Sequence, residues 1–421
     1  MGTTAKSLFR DISKVMKKIA LFLPSLILCV IGVWIAQTRG GAGRDFEVFR
    51  YATELISQNK PTWIYSHSPD RFLYAPAFAW IFFPFSALSL KLGLLLWNVL
   101  KVGVLLALCH KWATLEKSPW LALAPFVIAR PLLIDLQYGQ INLLILCVTS
   151  LALLDFTHAP KRPASPRQAF WIWFATSLLA ISKLYTLPLL LVPFCVSTHS
   201  EKKKTASRLG ILIGVFIALA LPLLAMGIRP GAFLYADWLQ ALSSRGLPDE
   251  THNQSFTGFL IRIFTGIPIR AHVLGPIPRS LNLHWLTSIQ VEFFSLAWSL
   301  FFVGIIISLI IRGPLNFGQK SSTRWCALLC SLSIIPSHLV WKPYFVFALP
   351  IAALSFDHAR KSAAAMTAWV LAFVLMNLTT FDLIGVSACF WIEAASGLLW
   401  AHLIWGGLTF AQMNSKDNPS R

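Results

Sequence analysis

Long apolar runs alternate with short polar linkers from one end of the chain to the other. The apolar runs that can form membrane-spanning helices are residues 19–36, 92–110, 119–134, 141–156, 169–182, 184–197, 208–227, 288–311, 325–338, 344–356, 363–378 and 385–410. A helix needs about 20 apolar residues to cross a bilayer, so the shorter runs must include flanking residues in their spans. The pattern predicts an all-α polytopic membrane protein with about 12 transmembrane helices.

The polar segments divide the chain around a single membrane domain. The predicted parts are a cytoplasmic amphipathic helix at residues 1–18, a transmembrane domain at 19–410 with external loops at 37–75 and 228–287, and a cytoplasmic tail at 411–421. In the first part, apolar residues share one helical face and basic residues occupy the rest of the turn. A helix with this pattern binds the surface of an anionic membrane.

Two segments depart from the pattern of spans. Residues 46–57 place apolar side chains on one side of a helix and charged side chains on the other. We expect this helix to lie along the outer membrane interface and to end at Asn59-Lys60-Pro61. Residues 76–90 are apolar but short and contain Pro84, so they are predicted to form a re-entrant segment or half-helix that is buried against protein.

Composition excludes a soluble enzyme with a single membrane anchor. Of the 421 residues, 56% are hydrophobic and only 13% are charged, and the mean hydropathy is +0.65. A soluble domain carries about 25% charged residues. The seven cysteines lie mostly inside the apolar runs and lack the spacing of metal ligands, so no disulfide framework is expected.

The net charge of +19 is explained by membrane topology. When 12 spans are threaded, basic linkers fall on the same side as the N-terminus, at residues 160–167, 201–208, 312–324 and 358–361. Lysine and arginine are enriched on the cytoplasmic side of membrane proteins. We therefore expect a multi-pass protein of the cell (inner) membrane, and no nucleic-acid partner.

The same threading places the unusual polar motifs on the external (periplasmic or extracellular) face. They are the Asp45 loop, Tyr74-Ala-Pro76, Arg130, Gln140-Ile-Asn142, Lys183-Leu-Tyr185, the loop at 228–287 and residues 338–344. Polar chemistry on one side indicates an enzyme or a gated binding site, because an alternating-access transporter places polar groups near the middle of the bilayer.

Asp45 has two interpretations that the residue pattern leaves open. It can cap the following helix by accepting backbone N–H bonds. It can also act as a general base that takes the proton of a hydroxyl group as this group attacks a sugar carbon. A phosphate leaving group departs without protonation, so one carboxylate is sufficient, whereas glycosidases need a second carboxylic acid for their alkoxide leaving group. The two roles are compatible.

The other candidates within the apolar part of the chain also have structural interpretations. Lys183 can bind a phosphate as a point charge, or it can extend from a helix end to the membrane surface. Gln140 and Asn142 can bind sugar hydroxyls or bridge helices. Arg130 can bind phosphate or pair with Asp135, a carboxylate near the same turn.

The later polar motifs are equally open. Asn253-Gln254-Ser255 is formally a glycosylation acceptor sequence, but a role of this loop in the site is preferred. His338 can form a hydrogen bond at a helix end or act as a base. Trp341 can stack on a sugar or a prenyl chain, or belong to the aromatic belt of the membrane interface.

The order of six motifs resembles one known family. The motifs are Asp45-Phe46 with Trp63-Ile-Tyr65, Phe72-Leu-Tyr74-Ala-Pro76, Gly139-Gln140-Ile-Asn142, Lys183-Leu-Tyr185 with Pro188, Asn253-Gln254-Ser255 with Arg262, and Ser337 to Tyr344 with Trp341. The set is similar to the polyprenol-phosphate-mannose-dependent mannosyltransferases of glycosyltransferase family 87, which are membrane enzymes of the GT-C superfamily. It covers the chain from Asp45 to about residue 350.

The resemblance implies a GT-C-type fold, a polyprenyl-phosphate sugar donor, mannose as the sugar, inversion at the anomeric carbon, and Asp45 as the catalytic residue. Together with the residue pattern, it indicates that the donor phosphate is bound by Lys183, Arg262 and Arg130. The expected contacts with sugar or acceptor are Tyr74, Gln140, Asn142, Tyr185, Asn253, Gln254, Ser255, His338 and Trp341. The family often has histidine directly after the tryptophan of the last motif, whereas this chain has Lys342, and His338 is a candidate replacement.

The sequence is therefore interpreted as a hexosyltransferase that acts on a hydroxyl group of a glycolipid or glycan acceptor at the external face, in contact with membrane lipids. No cofactor or metal ion is expected. The alternative is a transporter or flippase of a lipid-linked saccharide, which would bind phosphate without forming a bond. An Asp45→Asn variant separates the two, because it retains a helix-capping side chain but removes the base.

Overall fold

The computed structural model describes residues 21–66, 72–158, 165–197, 200–243, 249–271, 275–277, 283, 285–314 and 321–414. The interfacial helix predicted at residues 1–18 lies outside this part of the chain, as does most of the tail predicted at 411–421. The described residues form helices together with one small two-stranded sheet. The prediction of an all-α protein is confirmed for this part of the chain.

The helices follow one another through short connections. In chain order they are α1 (Leu21–Thr38), α2 (Arg44–Ser57), α3 (Pro76–Ile81), α4 (Phe83–Ser86), α5 (Leu90–Leu115), α6 (Ala124–Val127), α7 (Ala129–Tyr138), α8 (Asn142–Thr157), α9 (Pro166–Ser182), α10 (Val192–Cys195), α11 (Glu201–Met226), α12 (Ile228–Ser243), α13 (Phe256–Phe264), α14 (Ser288–Arg312), α15 (Ser322–Leu332), α16 (Leu349–Ala359), α17 (Ala363–Asn377), α18 (Phe381–Ala394) and α19 (Gly397–Asn414). The 3-10 helices of the described residues are Pro61–Trp63, Pro119–Leu123, Leu184–Leu191 and Lys342–Ala348. Strands β1 (Ile269–Ala271) and β2 (Gly275–Ile277) pair antiparallel, with Ile269 opposite Ile277.

The helices differ in whether they are long enough to cross a membrane. Within the described residues, α1, α5, α11 and α14 are long and apolar enough to cross a membrane. Two bent pairs add one span each if a pair is counted as a unit: Pro119–Val127 with α7, which meet at 65°, and α17 with α18, which meet at 100°. These apolar helices indicate a membrane protein with four to six candidate spans, and the predicted count of about 12 is not confirmed.

Proline and left-handed residues account for part of this difference. The run predicted to span at 184–197 is a 3-10 helix that contains Pro188, followed by the short helix α10. Proline lacks a backbone donor and clashes with the preceding turn, so it interrupts a regular helix. The run predicted at 385–410 is divided at Ser396, whose φ of 56° separates α18 from α19.

The polar stretch after α1 forms the predicted amphipathic helix. Helix α2 buries Phe46 and Phe49 and leaves Glu47 exposed, which confirms the helix and its faces. Residues 76–90, predicted as a re-entrant segment or half-helix, begin with the two short helices α3 and α4. Each of these has a proline in its first turn, where the missing N–H would have no helical partner.

The central helix α8 positions one side of the site. It is buried along almost its whole length, beginning at Asn142. It packs against α5, α9, α15 and the 3-10 helix Lys342–Ala348. A helix that is apolar on all sides is held by neighbours on all sides. The N-terminus of α8 therefore provides a well-supported position for the polar side chain of Asn142.

Candidate active site

Asp45 lies in the first turn of α2, two residues after a glycine at which the chain turns. Gly43 occupies the N-cap position with φ 74°, a left-handed conformation that favours glycine. Its N–H donates to the carbonyl oxygen of Gln137 at 2.8 Å, which joins the start of α2 to the end of α7. The interpretation of Asp45 as the N-cap is therefore wrong. The half-buried Asp45 lines a large cavity, near the positive end of the helix dipole.

A buried ion pair lies behind the turn that carries Gln140. Lys101 Nζ, on α5, donates to Asp135 Oδ1 at 2.9 Å, to the Asp135 carbonyl at 3.1 Å and to the Gln140 carbonyl at 2.9 Å. The other carboxylate oxygen of Asp135 accepts from the N–H of Leu143 at 3.3 Å. The alternative in which Arg130 pairs with Asp135 is therefore wrong, because Arg130 pairs with Glu393. The Lys101–Asp135 pair instead connects both sides of the turn at residues 139–142.

Lys183 joins the two amide side chains of that turn. Its Nζ donates to Asn142 Oδ1 at 2.8 Å and to Gln140 Oε1 at 3.2 Å. The same nitrogen lies 4.0 Å from the centre of the Tyr344 ring and 5.0 Å from the centre of the Tyr74 ring. Aromatic faces attract a cation through their quadrupole. The ammonium group is therefore held between amide oxygens and aromatic rings.

Two tyrosine hydroxyls complete the network around these amides. Tyr74 donates to Gln140 Oε1 at 3.1 Å, and Tyr185 donates to Asn142 Oδ1 at 3.0 Å. Each amide oxygen thus accepts one bond from Lys183 and one from a tyrosine. This arrangement fixes the amide orientation, because an NH₂ group in the same place could not accept these protons.

The charge of Lys183 depends on its surroundings. Burial disfavours the ammonium form and lowers the pKa of Lys183 to about 7, while the negative charge of Asp45 is the leading opposing effect. Asp45 also adds to the effect of burial on Tyr74, whose pKa lies well above its usual range. Tyr74 is therefore a neutral donor, and Asp45 acts electrostatically on both partners of Gln140.

A second set of charges surrounds Glu393, near the start of α7. Arg130 Nη2 donates to Glu393 Oε1 at 3.0 Å, and Lys342 Nζ contacts the same oxygen at 2.5 Å. The N–H of Arg130 also donates to Asn377 Oδ1 at 3.2 Å, which joins α7 to α17. Burial lowers the pKa of Lys342, and Glu393 opposes this effect. Both cations line the cavity.

The Asn253-Gln254-Ser255 motif holds a neighbouring loop. Asn253 Nδ2 and Ser255 Oγ donate to the carbonyl oxygen of His338 at 3.2 and 2.8 Å. Asn253 Oδ1 accepts from the N–H of Val340 at 2.9 Å. All three side chains of the motif are buried and lie outside the cavity lining. The motif thereby supports the loop that presents His338.

His338, Trp341 and Lys342 all line the cavity. The His338 side chain is exposed, and its Nδ1 lies 3.1 Å from Thr257 Oγ1. In the position where the family often has histidine, Lys342 directs its ammonium group to Glu393. His338 therefore presents an exposed imidazole to the cavity, whereas Lys342 presents an ammonium group that is paired with Glu393.

Arg262 is fully buried and does not line the cavity. Its Nε donates to the Ala394 carbonyl at 2.9 Å, its Nη1 to the Glu250 carbonyl at 2.7 Å and its Nη2 to Ser396 Oγ at 2.7 Å. The guanidinium group thus joins α13 to the break between α18 and α19. This geometry gives no support to the predicted contact between Arg262 and a donor phosphate.

A cavity of about 1940 Å³ brings most of the predicted site residues together. The predicted residues on its walls are Asp45, Tyr74, Arg130, Gln140, Lys183, Tyr185, His338 and Trp341. Asn142 takes part through its bonds with Lys183 and Tyr185. Pockets for a single small molecule have volumes of roughly 300–1,000 Å³. The cavity therefore has room for two substrates.

Comparison with known proteins identifies the family. The model of one family, Glycosyltransferase family 87, matches residues 72–340, which is more than half of the chain. The chain belongs to glycosyltransferase family 87. It is therefore a hexosyltransferase, in agreement with the resemblance seen in its motifs. No curated protein and no solved structure matches it.

Sequence reasoning gave no role to three charged residues of this family 87 enzyme: Lys101, Lys342 and Glu393. A lone charge in an apolar run is costly unless it is paired, and this signal could have found Lys101 and Glu393. Their partners could not be found in the same way. Asp135 is 34 positions from Lys101, and Arg130 is 263 positions from Glu393.

Proposed function

We propose that this enzyme transfers a sugar from a polyprenyl-phosphate donor to a hydroxyl acceptor with inversion, with Asp45 as the general base. The resemblance of the motifs favours mannose as the sugar. The observation that carries the proposal is that Asp45 and Lys183 line the same cavity, where the carboxylate opposes the loss of the ammonium charge. The family match begins at residue 72, so the role of Asp45 rests on this geometry and on its own motif.

The proposed reaction is a single displacement at the anomeric carbon. The acceptor oxygen forms a bond to this carbon, while the bond from the carbon to the phosphate oxygen breaks. The hydroxyl proton passes to the Asp45 carboxylate, and the bonding electrons leave with the polyprenyl phosphate. Because this leaving group is already a stable anion, the mechanism uses one carboxylate and no general acid.

Lys183 is the proposed contact for the donor phosphate. Two of its three ammonium protons are donated to the amide oxygens, so one proton is left for a phosphate oxygen. The departing phosphate gains negative charge in the transition state, and a fixed cation stabilises that charge where it develops. Leu184, Pro188 and Val303 line the cavity, and apolar wall residues of this kind are suited to a prenyl tail.

Gln140 and Asn142 are the proposed contacts for the sugar. Their side-chain oxygens already accept hydrogen bonds from Lys183 and from tyrosines. Gln140 lines the cavity, so its NH₂ group is suited to donate to a sugar hydroxyl, whereas the buried Asn142 NH₂ group donates to Gln140 Oε1 at 3.5 Å and has one further N–H to donate. Such contacts would orient the anomeric carbon between the phosphate and the acceptor, which lowers the entropic part of the barrier.

The proposed architecture is a GT-C-type fold in the cell (inner) membrane, with the cavity open to the periplasmic or extracellular side. Asp45 lies in the first turn of α2, Gln140 follows α7 and Lys183 follows α9, so polar residues at the ends of three helices meet at one cavity. This gathering is what an enzyme at one membrane surface requires. The basic linkers of the sequence support the assignment of that surface as external.

The test is sugar transfer by the purified protein in lipid nanodiscs. Polyprenyl phosphates that carry radiolabelled mannose, glucose or galactose are supplied with a membrane lipid extract, and the labelled product is identified by mass and anomeric configuration. The Asp45→Asn variant is expected to lower the transfer rate by at least ~100-fold, the scale of general-base catalysis. Glu47→Gln, which changes an exposed carboxylate in the same helical turn, is the matched control and should retain activity.

Two results would reject this proposal. Transfer at the normal rate by Asp45→Asn would end the assignment of the base. Movement of a lipid-linked saccharide across the bilayer, with no labelled acceptor from any donor, would identify a transporter or flippase instead.

A further inference from the structure

The cluster of Arg130, Lys342 and Glu393 carries one more positive charge than negative charge. Both cations contact the same carboxylate oxygen, and the side chains of Lys342 and Glu393 are only 9% and 2% exposed. The Lys101–Asp135 pair differs because its charges balance. An excess charge in a buried site is unfavourable unless a counter-ion is present. The cluster is therefore suited to an anion.

Arg130 retains a hydrogen-bond donor for such an anion. Its Nη2 is bonded to Glu393, but its Nη1 is buried and has no hydrogen-bond partner within the described residues. Arg130 also lies in the first turn of α7, where the helix dipole adds positive potential. A guanidinium N–H in this environment binds a phosphate oxygen well.

This anion site is separate from the site of Lys183. Helix α7 begins beside Arg130 and ends at Tyr138, and the turn that follows carries Gln140, a direct partner of Lys183. At about 1.5 Å per residue, Arg130 and Tyr138 are about 12 Å apart along the helix axis. The cavity therefore presents two cationic positions, at the two ends of one helix.

An aromatic strip extends from the Arg130 end of the cavity. Trp369 and Phe373 are one helical turn apart on α17, and one further turn brings the same face to Asn377, which bonds Arg130. The strip continues from Trp369 to Phe356 and from Phe356 to Trp120, with ring centres 5.0 Å apart at each step. All of these rings line the cavity. The strip therefore provides an apolar surface that begins next to the cation Arg130.

The two cationic positions thus each have an apolar side. Leu184 and Pro188 line the cavity on the 3-10 helix that begins directly after Lys183, whereas Arg130 lies at the head of the aromatic strip. A molecule that matches the second position carries a phosphate followed by a long apolar tail. Membrane phospholipids have this construction, and so do phosphate-bearing glycolipids.

We propose that Arg130 and Lys342 bind the phosphate of a second lipid, and that the acceptor is an anionic membrane lipid whose tail lies along the aromatic strip. This inference rests on the proposed transferase function. Because the phosphate position and the Lys183 position are at opposite ends of α7, the lipid headgroup must extend from Arg130 towards Asp45. A polyol or sugar headgroup provides both this extension and the hydroxyl that reacts.

Photolabelling tests the lipid site without turnover. Phosphatidylglycerol with a diazirine in its acyl chain is incorporated into nanodiscs, in parallel with the matching phosphatidylcholine, and labelled peptides are mapped. The anionic probe is expected to label α16 and α17 preferentially. Lys342→Gln should reduce this labelling roughly tenfold, the scale of one charge-assisted hydrogen bond, whereas Lys342→Arg should retain it. Lys183→Gln is the matched control, and its labelling of α16 and α17 should be unchanged.

Kinetics test the identity of the acceptor. With an anionic lipid acceptor from the membrane extract, Lys342→Gln should raise the KM for the acceptor roughly tenfold and leave the KM for the donor unchanged. A merely structural role of Lys342 would lower thermal stability without this separation, and Lys342→Arg should restore the KM.

Three results would overturn the inference. They are equal labelling by the zwitterionic probe, loss of labelling in Lys183→Gln but not in Lys342→Gln, and a rise in the donor KM alone. Labelling does not depend on turnover, so failure of the lipid site and failure of the proposed reaction give different results.

Discussion

Gly139 packs so closely against Phe46 that a Cβ atom added to the glycine would lie 2.7 Å from the Phe46 Cβ. Gly139 also has φ 70°, a conformation that side chains other than glycine rarely adopt. Phe46 is the neighbour of Asp45, and Gly139 is the neighbour of Gln140. This contact therefore sets the distance between the proposed base and the turn that holds the proposed sugar contacts.

The first prediction concerns this contact. Gly139→Ala should lower the free energy of unfolding by ~1–3 kcal/mol, because it combines backbone strain with a steric clash. It should also reduce sugar transfer, since α2 must move away from the turn. Gly103→Ala is the matched control: this glycine lies inside α5 with open space around it, and alanine should stabilise the helix by ~0.5–1 kcal/mol. Thermal unfolding in detergent and the transfer assay measure both effects, and wild-type behaviour of Gly139→Ala would contradict the prediction.

The second prediction concerns the pH dependence that Lys183 produces. In the proposed role of Lys183 as the phosphate contact, only the ammonium form binds the donor, and burial lowers the pKa of Lys183 to about 7. The form that binds phosphate is therefore present below pH 7 and is lost as the pH rises. The ratio kcat/KM for the donor should fall on the alkaline side with an apparent pKa near 7, because this ratio reports groups of the free enzyme.

Lys183→Arg tests the cause of that fall. Arginine remains charged in this range, so the alkaline decrease should move to higher pH even if the maximal rate is lower. The exposed Lys202 serves as the control, because Lys202→Arg should leave the pH profile unchanged. An identical alkaline decrease in wild type and Lys183→Arg would show that another group is responsible.

Local sequence pattern was sufficient for some parts of this structure. The alternation of apolar and charged residues after Asp45 predicted α2, because a surface helix must bury one face and solvate the other. Helix termini also carried information: Gln140 and Lys183 stand at chain turns between apolar helices, and the structure places both in the cavity. A polar side chain at a turn between apolar helices is stable there only when it forms a hydrogen bond or an ion pair, as Gln140 and Lys183 do with one another.

Other parts depended on contacts that no local pattern contains. Their nearness in the chain made a pair of Arg130 with Asp135 one alternative, but each of them pairs with a residue on a different helix. Arg262 was expected at the donor phosphate, yet its three described bonds go to the protein. The predicted number of spans is not confirmed for a related reason: whether a short apolar run crosses, bends or ends at a proline is decided by the helices around it.

The third prediction assigns Lys101 and Asp135 a positioning role. Lys101→Met should lower the free energy of unfolding by ~3–5 kcal/mol, because it leaves Asp135 buried without its counter-charge. The double variant Lys101→Met/Asp135→Leu should regain most of this stability, since apolar residues of similar size often replace a buried pair without loss. The double variant should nevertheless have a higher KM for the sugar donor than the wild type. The reason is that the Gln140 carbonyl has lost its hydrogen bond from Lys101, which holds the turn. A stable double variant with a normal donor KM would restrict the pair to a structural role.

The last prediction separates two roles of Arg262. Three hydrogen bonds join its guanidinium group to Ala394, Glu250 and Ser396, and each bond to a charged group contributes ~1.5–3 kcal/mol. Arg262→Met should therefore lower the unfolding temperature strongly while the folded fraction keeps the wild-type KM for the donor. Arg270→Met is the control, because the Arg270 side chain is 57% exposed and its ion pair with Asp249 should contribute less than about 1 kcal/mol. A phosphate contact would give the opposite result, a raised donor KM at an unchanged unfolding temperature, since the lost partner would then be the substrate and not the break between α18 and α19.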